Sequence, residues 1–193
     1  MNHTRLPFLP LLLLALAALA LPGTSSPTKA EETYTLRIAT LAPAGSSWMK
    51  IVNAWNKTLQ EKTDGRLKIR VYPGGSQGDE RDFVRKMRVG QLDAAIMTMT
   101  GMSMVVRAMI VLVLPGFLDT YEKLDRVRGK MAPEFEAMFE KEGFKLVGWG
   151  DAGLNRLFAA KPFRSPEDLK SLRPWVWKDE LVFVELYDVI GAN

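Results

Sequence analysis

The 193-residue chain contains no cysteine, and its only histidine is His3. Without cysteine there is no disulfide, no thiolate nucleophile and no cysteine-ligated zinc or iron–sulfur centre. Charge of one sign is also missing, since 26 Lys and Arg face 22 Asp and Glu. So even a balance provides no basic field for nucleic acid or for an anionic membrane surface. Internal repeats and low-complexity linkers are absent as well. What is present is the composition of a globular chain, 47% hydrophobic and 25% charged, which excludes disordered and fibrous classes.

The one long apolar run lies at the start. Arg5 precedes Leu6 to Leu21, and a small polar stretch follows to Thr28-Lys29-Ala30. That order is the layout of a secretory signal peptide, so residues 1–30 are expected to be an exported leader, cut near Ala30 or earlier near Gly23. The run is short for a membrane anchor, which needs roughly 20 apolar residues. Cleavage removes His3 with the leader. Serine–histidine triads, histidine metal sites and imidazole acid–base chemistry are then closed to the mature chain.

The remainder reads as alternating strands and helices. Thr33 to Thr40 alternates as a strand, and Ser46-Ser47 caps a helix whose apolar face is Trp48, Ile51, Val52, Trp55 and Leu59. Asp64-Gly65 ends it, and Leu67 to Tyr72 alternates again. Strand, helix, strand is a βαβ unit, which predicts a parallel sheet. Asp79 or Asp82 opens a second helix with Phe83, Val84 and Met87 inward, closed by Gly90, and Leu92 to Met97 is a short buried strand. Residues 97–109 carry five methionines, an adaptable binding surface or, more simply, core packing. Tyr121 to Glu142 predicts two helices separated by Pro133, and Lys145 to Trp149 a further strand running on toward Leu157–Ala160. Ser165-Pro166 starts a compact helix, Arg173 to Trp177 is extended, and Glu180 to Ile190 is helical with Leu181, Val184 and Val189 among its apolar positions.

Several strings carry possible chemistry and are weak. Ser47-Trp48-Met49-Lys50 matches the S-x-x-K nucleophile pattern, but its S-D-N and K-T-G partners are missing, and a helix cap explains Ser47. Gly74-Gly75-Ser76-Gln77-Gly78 lacks the Lys-Ser/Thr ending of a phosphate loop. Asp79, Glu80 and Asp82 lack calcium-loop spacing and read as a solvated helix start. Asn56-Lys57-Thr58 is a formal glycosylation sequon inside a predicted helix, and is set aside. No cofactor or metal site is expected, and no catalytic group. Parallel α/β sheets bind ligands at the carboxyl ends of their strands. Here those ends are LAPAGSSW, PGGSQGDE and MTMTGM, which puts Trp48 and Thr98, Met99 and Thr100 among the candidate ligand contacts.

The strings IATLAPAGSSWMK, GRLKIRVYPGGSQGDERDFVRKMRVGQLDAA, KLVGWGD and SPEDLKSLR resemble the periplasmic solute-binding subunit of TRAP transporters, the DctP-like family. The resemblance covers nearly all of residues 31–193. It implies an α/β, two-lobed periplasmic binding protein that closes on a small organic solute and delivers it to membrane permease subunits. Residues 31–152 would form lobe one, with the crossing at Trp149 to Phe158. Residues 153–193 would begin lobe two, which the resemblance leaves incomplete in this chain, as in a fragment or a shortened product.

The chain departs from the family pattern at two ligand-clamping arginines. One position holds Asn155, followed by Arg156; the other holds Trp175, within Arg173-Pro174-Trp175-Val176-Trp177. A guanidinium grips a carboxylate with two parallel hydrogen bonds, which neither Asn nor Trp can do. Arg156 and Arg173 lie one and two places away, and on a strand one place reverses the face. The expectation is therefore a ligand less acidic and more apolar than a dicarboxylate, with Trp48, Trp175 and Trp177 in the cleft. Large aromatics also dominate cores, so packing stays open as their role. Two other functions stay open too: a scaffold module that keeps the lobe-one fold without capturing ligand, and an exported Ser–Lys hydrolase.

Overall fold

The computed structural model describes residues 32–192. The expected leader lies outside the described residues. Among those described, no helix is long and apolar enough to cross a membrane.

Three parallel strands form the sheet: β1 (Tyr34–Thr40), β2 (Leu67–Tyr72) and β3 (Ala94–Ile96), in the order β2-β1-β3. Tyr34 pairs with Leu67 and Ala39 with Tyr72, while Ile38 pairs with Ala94 and Thr40 with Ile96. The predicted βαβ unit is thus present, closed by α1 (Ser47–Lys62). Its cap is Ser46, whose hydroxyl accepts from the Met49 N–H at 3.3 Å, so Ser47 is the first helical residue and not the cap.

Helix α1 sits rotated from its expected face. Met49 and Val52 are buried, whereas Ile51 and Trp55 are exposed. Asn56 explains the rotation. Its amide donates to the Ile69 carbonyl at 3.1 Å and accepts from the Ile69 N–H at 2.7 Å, so it satisfies the free edge of β2. Buried backbone groups need such partners, and an edge strand can find them only outside the sheet. The apparent sequon is therefore a structural clamp.

Helix α2 (Glu80–Arg88) opens with a reciprocal cap between Asp79 and Asp82, and buries Phe83 and Val84 as its pattern predicts. A short α3 (Met99–Ser103) and a 3-10 helix (Arg107–Val113) follow. The methionine-rich stretch is core here. Met102 and Met109 are buried, with Met97, Met99 and Met104 packed against the same cluster.

Pro133 does not divide two helices, because α4 runs unbroken from Tyr121 to Lys141. Phe135 and Phe139 behind the proline, and Leu124, Val127 and Met131 before it, all pack on one core cluster. Burial of that common face holds the helix together across the missing N–H. The predicted strand at Lys145 to Trp149 is not formed, although Phe144, Leu146 and Trp149 pack on the same cluster. Residues 151–160 form no strand either, and Phe158 is 92% exposed.

The last segment holds α5 (Pro166–Leu169) and α6 (Leu181–Ile190), with the expected Ser165 cap and a left-handed Gly191. The buried side of α6 is Tyr187, with Phe183 and Ile190 beside it; Leu181, Val184 and Val189 are exposed. Residues 163–192 make their own small cluster around Leu169, Tyr187 and Ala192.

Candidate ligand site at the strand ends

The loops at the carboxyl ends of β1 and β2 are tied to one another. The Gly75 N–H donates to the Thr40 carbonyl at 3.1 Å and the Gly74 N–H to the Ala42 carbonyl at 2.9 Å. Both glycines have positive φ, which lets the backbone turn its N–H groups onto the neighbouring loop. Gln77 is held in turn by the Lys86 ammonium, at 2.8 Å to its carbonyl and 3.0 Å to its side chain. This joins the glycine loop to α2.

Glu80 is the residue that sequence reasoning placed wrongly. It is 1% exposed, not part of a solvated helix start. Its carboxylate accepts from the Thr98 N–H and, at 2.7 Å, from the Thr98 hydroxyl. Gly101 makes room for it, since a Cβ there would lie 2.8 Å from the carboxylate. A buried carboxylate is stable only with such donors. Glu80 thereby links the loop after β2 to the loop after β3. Among the described residues, no group of acids or histidines could hold a metal ion.

Thr98, Met99 and Thr100 consequently have distinct places. Thr98 is bound to Glu80, Met99 faces the core, and the Thr100 hydroxyl donates to Glu180. Beside that bond, the Arg81 guanidinium pairs with Asp179. The segment that begins α6 therefore lies against the first turns of α2 and α3. Glu180 also accepts from the Val182 N–H at 3.2 Å and so caps α6. Asp179 and Glu180 were not legible as site residues, because nothing local marks a contact about 80 to 98 positions away.

Trp48 packs against the backbone of Gly150, where a Cβ would overlap its ring. Nearby, Arg128 bonds Asp125 and, at 2.8 Å, Asp151, with its guanidinium 5.7 Å from the centre of the Trp149 ring. The bond to Asp151 leads in raising the Arg128 pKa above its ordinary value. Trp149 meets Phe135 edge-on at 6.1 Å. Helix α4 and the 149–151 segment are fixed to one another by these contacts.

The remaining expected contacts do not converge. Asn155 and Arg156 are exposed, and the Arg156 guanidinium makes only a 3.4 Å bond to the Asn155 carbonyl. Arg173 is exposed with φ 48°, so residues 173–177 do not alternate as a regular strand. Trp175 is 83% exposed, and Trp177 is half-buried. Ser47 and Lys50 are both exposed on the surface of α1.

The family model for "bacterial extracellular solute-binding protein, family 7" matches residues 38–193. The chain is 28% identical over 147 residues to the 2,3-diketo-L-gulonate-binding periplasmic protein YiaO of Escherichia coli, covering 72% of this chain and 43% of that one. Among solved structures, a TRAP periplasmic solute-binding protein of Ralstonia eutropha with bound (S)-2-acetolactate matches at TM-score 0.75 and 27% identity, over 82% of this chain and 52% of the other. One from Chromohalobacter salexigens with bound D-glucuronate matches at 0.74 and 26%, over 82% and 53%. The chain spans about half the length of the relatives it matches.

Proposed function

Because the chain belongs to the bacterial extracellular solute-binding protein family 7, we propose that it is the ligand-capturing part of a TRAP-type periplasmic solute-binding protein. It takes a small organic acid between two lobes and passes it to membrane permease subunits, without chemical conversion. The observation that carries this reading is the segment Asp179–Glu180 held by Arg81 and Thr100 at the first turns of α2 and α3, the helices that follow β2 and β3. Strand ends are where parallel α/β sheets take ligands, and a second element lying over them makes a cleft out of a surface. Residues 31–152 serve as lobe one and 153–193 as the start of lobe two. In support, the apolar clusters drawn from residues 39–149 are separate from the one drawn from 163–192. The site of action is the periplasm, the compartment named for the related YiaO.

The ligand class follows the relatives. D-glucuronate, (S)-2-acetolactate and 2,3-diketo-L-gulonate are all acids, and each is what the corresponding relative is named for binding. A less acidic, more apolar ligand, expected from Asn155 and Trp175 at the family's arginine positions, gains no support: the relatives are named with acids, and Trp175 points largely to solvent. Arg156 and Arg173 lie next to the two positions where the family pattern places arginine and are the proposed carboxylate partners, although they do not meet one another in this structure. Both are exposed, and neither is in an ion pair among the described residues.

Thermal melts of the chain with D-glucuronate, D-galacturonate, succinate and a neutral aromatic amide test the reading. An acid present at 100 times its dissociation constant stabilises the fold by about 2.7 kcal/mol, a shift of several degrees. A sugar acid is expected to give that shift, and Arg156→Ala or Arg173→Ala to reduce it. No shift with any acid would contradict the proposal and favour the scaffold reading. A shift with the amide alone would restore the apolar ligand.

A further inference from the structure

We infer that Asp179 is a specificity-determining residue whose free carboxylate oxygen accepts a hydrogen bond from a hydroxyl of the bound solute, so that the site selects polyhydroxylated acids. This rests on the solute-binding reading above. The side chain of Asp179 is 7% exposed. Its Oδ1 takes the Arg81 guanidinium, and its Oδ2 is buried with no hydrogen-bond partner. A carboxylate oxygen can only accept, and a buried one without a donor carries an uncompensated desolvation cost.

The other acids at this contact are matched. Glu180 holds the Thr100 hydroxyl on one oxygen and the Val182 N–H on the other. Glu80 holds the Thr98 N–H and hydroxyl. Asp179 Oδ2 is the one buried side-chain polar atom left short among the described residues. It is buried where residues 179–180 meet Arg81 and Thr100 at the first turns of α2 and α3. Ligand entering as the lobes part, and held as they close, arrives there.

The charge around it decides which part of the ligand faces Asp179. Arg81 offsets the charge of Asp179, but Glu80 and Glu180 are held by neutral donors, so a second carboxylate would be repelled. The acid end of the solute therefore lies away from Asp179, and a hydroxyl-bearing carbon lies beside it. A site built to accept from a hydroxyl discriminates strongly against analogues that lack it, because the buried acceptor is then left unpaired.

The test is a double-mutant cycle by calorimetric titration of the full chain with D-glucuronate and its monodeoxy analogues. Asp179→Ala is expected to weaken D-glucuronate binding by about 10- to 100-fold. One deoxy analogue should lose as much with the unchanged chain and lose nothing further with the variant. If the alanine variant does not fold, Asp179→Asn keeps the shape and carries the same cycle. Additive losses for every analogue would overturn the inference and leave Asp179 as a holder of Arg81 only. D-glucose separates the two proposals where no acid binds. Glucose binding that depends on Asp179 would sink the acid-capture reading, and with it the selection of acids, and keep only the hydroxyl contact at Asp179; no binding of either would overturn both.

Discussion

The Arg37 guanidinium meets both oxygens of Asp93 at 2.8 Å, and the Arg37 N–H adds a third bond at 2.7 Å. These bonds hold the Asp93 carboxyl at about 2, against an ordinary value of 3.8. A carboxyl whose pKa falls on folding stabilises the native state above its unfolded value. That contribution is lost as pH drops from about 4 through about 2. Asp93 is about a third exposed, so screening leaves on the order of 1 kcal/mol. Asp93→Asn is expected to lower stability by that amount at neutral pH and to flatten the acid limb of a urea-unfolding series between pH 4 and 2. An unchanged acid limb would show that the pair contributes nothing. At this scale the sequence was partly legible. Serine and aspartate caps were readable because capping is local, although Ser46 does what was expected of Ser47. Asn56 and Glu80 were misread, since their partners Ile69 and Thr98 lie 13 and 18 positions on.

Elements whose pattern is periodic and whose caps are local were readable within a residue or two: β1, α1, β2, α2, α5 and α6. Faces were harder, because the apolar stripe alone does not say which side meets the sheet. Helix α1 turned on the polar residue Asn56, and α6 on Tyr187. Pro133 is exposed inside α4, so its effect is on the backbone and not on packing. Pro133→Ala restores the N–H and relieves the clash with the preceding turn. It is expected to raise stability by about 1–3 kcal/mol in denaturant titrations; a fall would mean that the proline sets a bend the core requires. The contact between Trp48 and Gly150 was invisible in the sequence, because the two residues are about 100 positions apart and nothing local marks it. Gly150→Ala drives a methyl into the indole and is expected to cost about 1–3 kcal/mol. Trp48→Leu in the same chain should return part of the loss. No destabilisation would mean that the two loops separate freely.

For the whole molecule, the α/β class, the parallel sheet and the family were legible because ordered strings spanning most of the chain carry them. The site was not. The contacts proposed to define it, Arg81 with Asp179 and Thr100 with Glu180, join segments far apart in sequence, and Trp175, singled out at a family arginine position, faces solvent. Capture of a small acid between these segments is the central claim. Native mass spectrometry of the processed chain, purified from the periplasm without refolding, tests it most directly. A narrow, low-charge envelope carrying the added mass of one small organic acid is expected. A broad, highly charged envelope with no added mass would contradict it.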